Sequence, residues 1–219
     1  MIQETFAINQ GVKLTAAALP LLLASEYYQS RKGVWVFKPL ASLGFLLSAT
    51  ANHQGTAALP VFSKYILLGL GLGAVGDVCL IPKSGFLLGL GSFLVGHLSL
   101  VYAFTVHGMD ASYALAGLAG TGAIGTIVGR WLLPKVKDPV MRKAVLGYML
   151  VITGMVVTAT ASLPHTPVPR QQYMGALMFY LSDLFVARQE FVTKSVWNSW
   201  IGLPLYYGGQ LLLAGTLAQ

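Results

Sequence analysis

Apolar residues run along this chain in long blocks rather than at alternate positions. Eight blocks stand out, near residues 12–28, 35–52, 59–81, 85–106, 112–133, 142–163, 170–187 and 196–217. A membrane helix needs about 20 mostly apolar residues to cross a hydrocarbon core of about 30 Å, and each block is near that size. The gaps between them are short and hold turn formers, such as Pro82-Lys83-Ser84-Gly85 and Pro164-His165-Thr166-Pro167-Val168-Pro169. The pattern predicts an all-α fold, a polytopic membrane helical bundle of about eight transmembrane helices. No linker divides it, so residues 1–219 are expected to form a single integral membrane domain. No inverted repeat is evident.

Composition supports the bilayer as solvent. The 219 residues are 55% hydrophobic and only 10% charged, where a soluble domain carries about 25% charged residues. The net charge of +7 does not point to nucleic acid. The bases fall in the polar gaps, without the continuous basic stripe and interleaved aromatics of a nucleic-acid surface. Acidic headgroups of the bilayer are the expected partner of those gaps.

The single cysteine, Cys79, rules out an intramolecular disulfide and reads as a small buried hydrophobe. The stretch MIQETFAINQGVKL has no basic segment before its apolar run, so the first block is expected to be a retained helix.

Lysine and arginine placement predicts orientation. Odd gaps hold Arg31 and Lys32, then Lys83, then Lys135, Lys137, Arg142 and Lys143, then Arg188 and Lys194. Even gaps hold little beyond Arg170, with Lys64 at a helix start. The odd-numbered loops should therefore be cytoplasmic and both termini should face outside or the lumen. The membrane is a bacterial inner membrane or one of endoplasmic reticulum type.

Gly71-Leu72-Gly73-Ala74-Val75-Gly76 spells G-x-G-x-x-G. A dinucleotide loop needs a strand before it and a helix opening after it. Here the glycines lie inside one long apolar block, and the pattern recurs at Gly120-Thr121-Gly122-Ala123-Ile124-Gly125. Glycines at helical spacing instead let membrane helices approach closely. Gly69 and Gly73, Gly85 and Gly89, and Gly125 and Gly129 have that spacing.

Ionisable residues at membrane depth are costly and mark candidate chemistry. Asp77 and Asp183 each fall about one turn from the cytoplasmic end of their helices, and Lys38 about one turn inside its own. His97 lies near the middle of the fourth helix. Their depths allow convergence on one cavity open to the cytoplasmic leaflet. Structural hydrogen bonding, snorkelling of Lys38 to the headgroups and simple packing of His97 are the competing readings. Glu26 reads as interfacial, and His53, His107 and His165 as solvated. No His-Glu-x-x-His or Gly-x-Ser-x-Gly is present, so neither a zinc hydrolase nor a serine esterase has motif support. No metal and no cofactor are expected.

Helical phase groups Phe86, Gly89, Phe93 and His97 on one face, Gly175, Phe179 and Asp183 on another, and Gly69, Gly73 and Asp77 on a third. These stripes read either as close packing or as an apolar slot for an acyl or alkenyl chain with acids at its mouth. Tyr148, Ser182, Asn198, Tyr206, Tyr207 and Gln210 are candidates for its polar lining.

These same residues carry a family resemblance. Gly76-Asp77-Val78-Cys79-Leu80 resembles the Gly-Asp-x-x-Leu of the YhhN-like lysoplasmalogenase family. Phe86-x-x-Gly89-x-x-x-Phe93-x-x-x-His97 is similar to that family's fourth helix, and Lys38-Pro39-Leu40 to its Lys-Pro motif. Gly175-Ala176-Leu177-Met178-Phe179-Tyr180-Leu181-Ser182-Asp183 resembles its Gly-Ala-x-x-Phe-x-x-Ser-Asp. Phe191 and Tyr206-Tyr207-x-x-Gln210 resemble its closing segment. Leu100 departs from it, standing where the family often has an aromatic.

The resemblance implies a membrane hydrolase that cleaves the vinyl ether of a lysophospholipid substrate, releasing a fatty aldehyde. Such chemistry needs a protonated carboxyl and a carboxylate, and Asp77 and Asp183 are the expected pair, with roles left open. Lys38 would hold one ionised or bind phosphate, and His97 would relay a proton or position water. Phe93, Phe179, Ser182, Tyr148, Asn198, Tyr207 and Gln210 are the expected substrate-binding residues. A proton-coupled transporter or channel using Asp77 and Asp183, or a non-enzymatic lipid-binding protein, are the alternatives. Oligomeric state is left open.

Overall fold

The computed structural model describes residues 10–52 and 59–218. Each apolar block is a helix: α1 Gln10–Tyr27, α2 Arg31–Asn52, α3 Val61–Cys79, α4 Phe86–Thr105, α5 Ala111–Leu132, α6 Pro139–Ala161, α7 Pro169–Phe191 and α8 Val196–Gly215. Five of the eight, α2 to α6, are long and apolar enough to cross a membrane. The other three fall short because polar residues interrupt them. Lys13 and Glu26 lie in α1, Asn198 and Gln210 in α8, and α7 carries Arg170, Asp183, Arg188 and Glu190.

Local chemistry sets several helix starts. Asp110 accepts from the backbone N–H of Ser112 at 2.8 Å and of Tyr113 at 3.1 Å to open α5. Asp138 does the same for α6 through Val140 and Met141, with Pro139 pre-shaping the first turn. Where α1 meets α2, Gln29 takes a positive φ of 53°.

Successive helices pair as hairpins, α1 with α2, α3 with α4, α5 with α6 and α7 with α8. The hairpins close into one bundle through α2 against α3 and α8, α4 against α6, α6 against α7, and α1 against α8. At the α7–α8 seam a Cβ on Gly175 would lie 3.1 Å from the Gly209 carbonyl oxygen, and one on Gly209 would lie 2.9 Å from that of Gly175. Without a hydrophobic force between helices in lipid, such backbone proximity supplies the dispersion contact that joins them.

The two G-x-G-x-x-G runs behave differently. In α3, Gly73 and Gly76 each lie against a side chain from another helix, while Gly71 faces open space. In α5, Gly120 faces open space, and Gly125 and Gly129 meet their neighbours only at ordinary contact distance. The close approach expected at Gly125 and Gly129 is thus not made.

The core holds Phe45, Ile66, Leu70, Leu100, Phe104, Met155, Phe179 and Tyr207, all fully buried. Leu87, Leu88, Leu115, Ile127 and Leu150 face outward, as lipid contact requires. Two expectations shift. Cys79 is half-buried at the end of α3 rather than buried. His107 is half-buried with its ring 4.9 Å from that of Phe62, since the α4 end folds it onto α3. His165 is exposed, and His53 lies outside the described residues.

Candidate active site

Asp77 sits near the end of α3, only 2% exposed. Its Oδ2 accepts from Ser42 Oγ at 2.6 Å and from the Tyr206 hydroxyl at 2.8 Å. Its Oδ1 is 3.6 Å from Lys38 Nζ. Lys38 and Ser42 lie four residues apart on α2 and so share a face. Tyr206 is fixed from behind by Gln210, one turn later on α8, whose Nε2 donates to its hydroxyl at 3.0 Å. Room for this pair comes from Gly73, where a Cβ would lie 2.5 Å from Gln210 Nε2 and 3.3 Å from the Tyr206 oxygen.

Asp183, on α7, has a parallel arrangement. Its Oδ2 accepts from the Tyr148 hydroxyl of α6 at 2.5 Å, and His97 Nε2 of α4 lies 2.8 Å from that hydroxyl. A phenol has one proton. Given to Asp183, it leaves the Tyr148 oxygen to accept from His97, which places the imidazole proton on Nε2. Ser182 Oγ stands 3.4 Å from Asp183 Oδ1.

A chain of aromatic rings links the two carboxylate clusters. Phe179 meets His97 edge-on at 4.5 Å between ring centroids and Tyr206 at 5.2 Å. Phe93 lies 6.0 Å from Phe179 and 5.8 Å from Tyr206.

Both carboxylates line one cavity of about 270 Å³. Its polar lining includes Glu26, Lys38, Tyr148, Ser182, Gln189, Glu190, Asn198 and Tyr206. Its apolar floor is drawn from Phe93, Val128, Leu132, Met149, Ile152 and Leu184. The cavity lies in the half of the bundle that carries the α1–α2, α3–α4, α5–α6 and α7–α8 turns.

The sequence model of the YhhN family matches residues 33–217. This chain belongs to the YhhN family. Every residue of both carboxylate clusters falls inside that span. Curated relatives of this YhhN protein include the rat lysoplasmalogenase TMEM86B, 26% identical over 217 residues that cover 90% of this chain and 87% of the rat protein. The mouse lysoplasmalogenase TMEM86B is 28% identical over 217 residues, covering 89% and 91% of the two chains. The human match is 27% identical over 140 residues and spans 64% of this chain but 57% of the human protein, less than two thirds of its length. No solved structure matches this YhhN chain significantly.

Within this YhhN bundle the expected site residues divide. Lys38, Asp77, Asp183, Phe93, Tyr148, Ser182 and Asn198 line the cavity. His97, Phe179, Tyr207 and Gln210 stand behind its wall, all buried. His97 hydrogen-bonds Tyr148, which in turn donates to Asp183, and His97 Nε2 itself lies 3.6 Å from Asp183 Oδ2. Tyr207 donates to the Lys38 carbonyl at 3.2 Å, and Gln210 holds Tyr206. Asn198 is tied into the α7–α8 turn, accepting from Arg188 Nη1 at 2.5 Å and donating to Gln189 Oε1 at 2.6 Å.

Lys38 points at Asp77 rather than snorkelling to the headgroups. Lys38 and Asp183 both lie about two turns inside their helices, deeper than expected, because α2 begins and α7 ends beyond the apolar blocks. The slot is also displaced. Gly89 and Gly175 pack against neighbouring helices, and the apolar floor comes largely from α5, α6 and α7. Ser42 and Glu26 were not evident as site residues. The i, i+4 spacing of Ser42 from Lys38 was the available signal for the former.

Proposed function

We propose that this protein hydrolyses the vinyl ether bond of a lysoplasmalogen, an alkenyl-glycerophosphoethanolamine or -choline. The products are a fatty aldehyde and the glycerophospho-headgroup. The observation that carries this reading is the placement of Asp77 and Asp183 on one apolar-floored cavity, each with a tyrosine hydroxyl on its Oδ2. The family relationship supports the same chemistry.

Their surroundings differ, and the difference assigns roles. Asp77 has a lysine and two hydroxyl donors, all of which stabilise a carboxylate. Among the described residues no lysine or arginine pairs with Asp183; Tyr148 donates to its Oδ2, and Ser182 Oγ, which gives its proton to the Phe179 carbonyl at 2.8 Å, can accept from a protonated Oδ1 at 3.4 Å. Asp183 gives that proton to the alkenyl carbon distal to the ether oxygen. The π electrons form the new C–H bond, and an oxocarbenium ion results.

The Asp77 carboxylate stabilises this cation electrostatically, as the second carboxylate of a glycosidase does. Water then adds to the carbon bearing the ether oxygen, and its released proton returns to Asp183. The hemiacetal collapses as its hydroxyl proton is lost and the departing glycerol oxygen gains one. One water is consumed and the catalyst is restored. His97, sealed from the cavity, positions Asp183 through Tyr148.

The bundle lies in a bacterial inner membrane or one of endoplasmic reticulum type, with the cavity facing the cytoplasmic leaflet. The test is aldehyde release from a lysoplasmenyl lipid by purified protein. Asp77→Asn and Asp183→Asn should each lower turnover by about 10²- to 10⁴-fold, the usual worth of general acid–base catalysis. Wild-type turnover in both folded variants defeats the two-carboxylate mechanism.

A further inference from the structure

The charges in the cavity are ordered by depth. Glu26 and Glu190 each lie one residue from the end of their helices, at the rim. Lys38 lies seven residues inside α2, which at about 1.5 Å per residue puts it roughly 10 Å below the α1–α2 turn. It holds Asp77 at 3.6 Å on one side and is the charged neighbour of Glu26 on the other. From the mouth inward Glu26 therefore comes before Lys38, which is held against Asp77.

Glu26 is half-buried, yet among the described residues no donor hydrogen-bonds its carboxylate. A carboxylate drawn partly out of water without a donor is costly, and a cation arriving from the cavity relieves that cost. Among the described residues the lining also carries Glu26, Asp77, Asp183 and Glu190 against Lys38 as its one lysine or arginine. A headgroup with only negative charge gains little from such a lining. One with phosphate inside and ammonium outside meets Lys38 and then Glu26. Tyr27 and Trp200, 6.1 Å apart by ring centroids and both exposed, stand beside this rim. Exposed aromatics of this kind lie at headgroup level in a bilayer.

We propose that Glu26 accepts the ammonium of a zwitterionic lysolipid headgroup whose phosphate faces Lys38. The assignment rests on the lysolipid reading above, but Glu26 takes no part in bond cleavage. It also lies before residue 33, outside the segment matched by the family. Headgroup choice is thus placed on α1, apart from the carboxylates.

The test uses the full chain in detergent and three saturated alkyl-ether lysolipids, which lack the vinyl bond and are not cleaved. Their headgroups are phosphocholine, phosphoethanolamine and bare phosphate. The wild type should bind the two ammonium-bearing lipids about tenfold tighter than the third, the scale of one charge-assisted contact. Glu26→Gln should remove that preference without altering binding of the bare phosphate. Glu26→Lys should reverse the order.

Thermal unfolding of each variant establishes that it is folded. Equal weakening of all three lipids in the folded variants, or no weakening, overturns the proposal. If the order and its reversal hold but no vinyl ether lipid yields aldehyde, the hydrolase reading fails and the headgroup site stands. Aldehyde release without headgroup discrimination leaves the hydrolase standing and overturns the role of Glu26.

Discussion

The Tyr206 hydroxyl on α8 donates to the Asp77 carboxylate on α3 at 2.8 Å, joining positions 129 residues apart. Tyr206→Phe deletes that donor and leaves Gln210 Nε2 without its acceptor. A hydrogen bond to a charged group is worth about 1.5–3 kcal/mol. Aldehyde release should therefore fall by roughly 10- to 100-fold, mainly in kcat. A change confined to KM contradicts a role for Tyr206 in holding Asp77.

His97 and Tyr148 should not act independently. Because the short hydrogen bonds from His97 to Asp183 run through the Tyr148 hydroxyl, while the direct Nε2–Oδ2 approach is a longer 3.6 Å, His97→Gln should cost activity in the wild type but add less than about twofold in Tyr148→Phe. A double-mutant cycle on kcat/KM measures this coupling. Additive effects mean that His97 reaches the substrate by some other route.

The G-x-G-x-x-G run offers a paired test. Gly73→Ala forces a Cβ to within 2.5 Å of Gln210 Nε2, whereas Gly71→Ala meets nothing within 4 Å. The first should lower activity by disturbing Gln210 and Tyr206, and the second should leave activity unchanged. A side chain added at a well-packed site costs about 1–3 kcal/mol, so thermal unfolding in detergent should separate the two as well.

Lys38→Met leaves a buried carboxylate without its counter-ion. Breaking such a pair costs about 3–5 kcal/mol, so the melting temperature should drop along with activity. Adding Asp77→Asn to that background removes the stranded charge. The double variant should recover stability and remain inactive. Recovery of activity would show that the ion pair serves folding alone.

Much of the bundle is legible in the sequence because apolar length is itself the signal for a membrane helix. Asp77 keeps its expected depth of about one turn, whereas Lys38 and Asp183 lie a turn deeper because α2 and α7 extend beyond their apolar blocks. What the chain does not announce is rotation of each helix about its own axis. In lipid the outward face and the inward face are both apolar, so the periodicity that orients a soluble helix is weak. That is why His97 reads as a cavity residue but stands behind Tyr148. It is also why the floor residues Val128, Leu132, Met149 and Leu184 drew no notice. Ser42 is missed for a related reason. A serine in an apolar block has no distinguishing context until Asp77 is seen 2.6 Å away.

The size of the cavity has a consequence for the membrane around it. Drug-sized ligand pockets span about 300–1,000 Å³, and this one is about 270 Å³. Under the proposed function it holds the headgroup and the reacting bond, and the hydrocarbon tail beyond them remains among the lipids. The bilayer then forms part of the binding site, and the tail contributes little to affinity, because it exchanges one apolar surrounding for another.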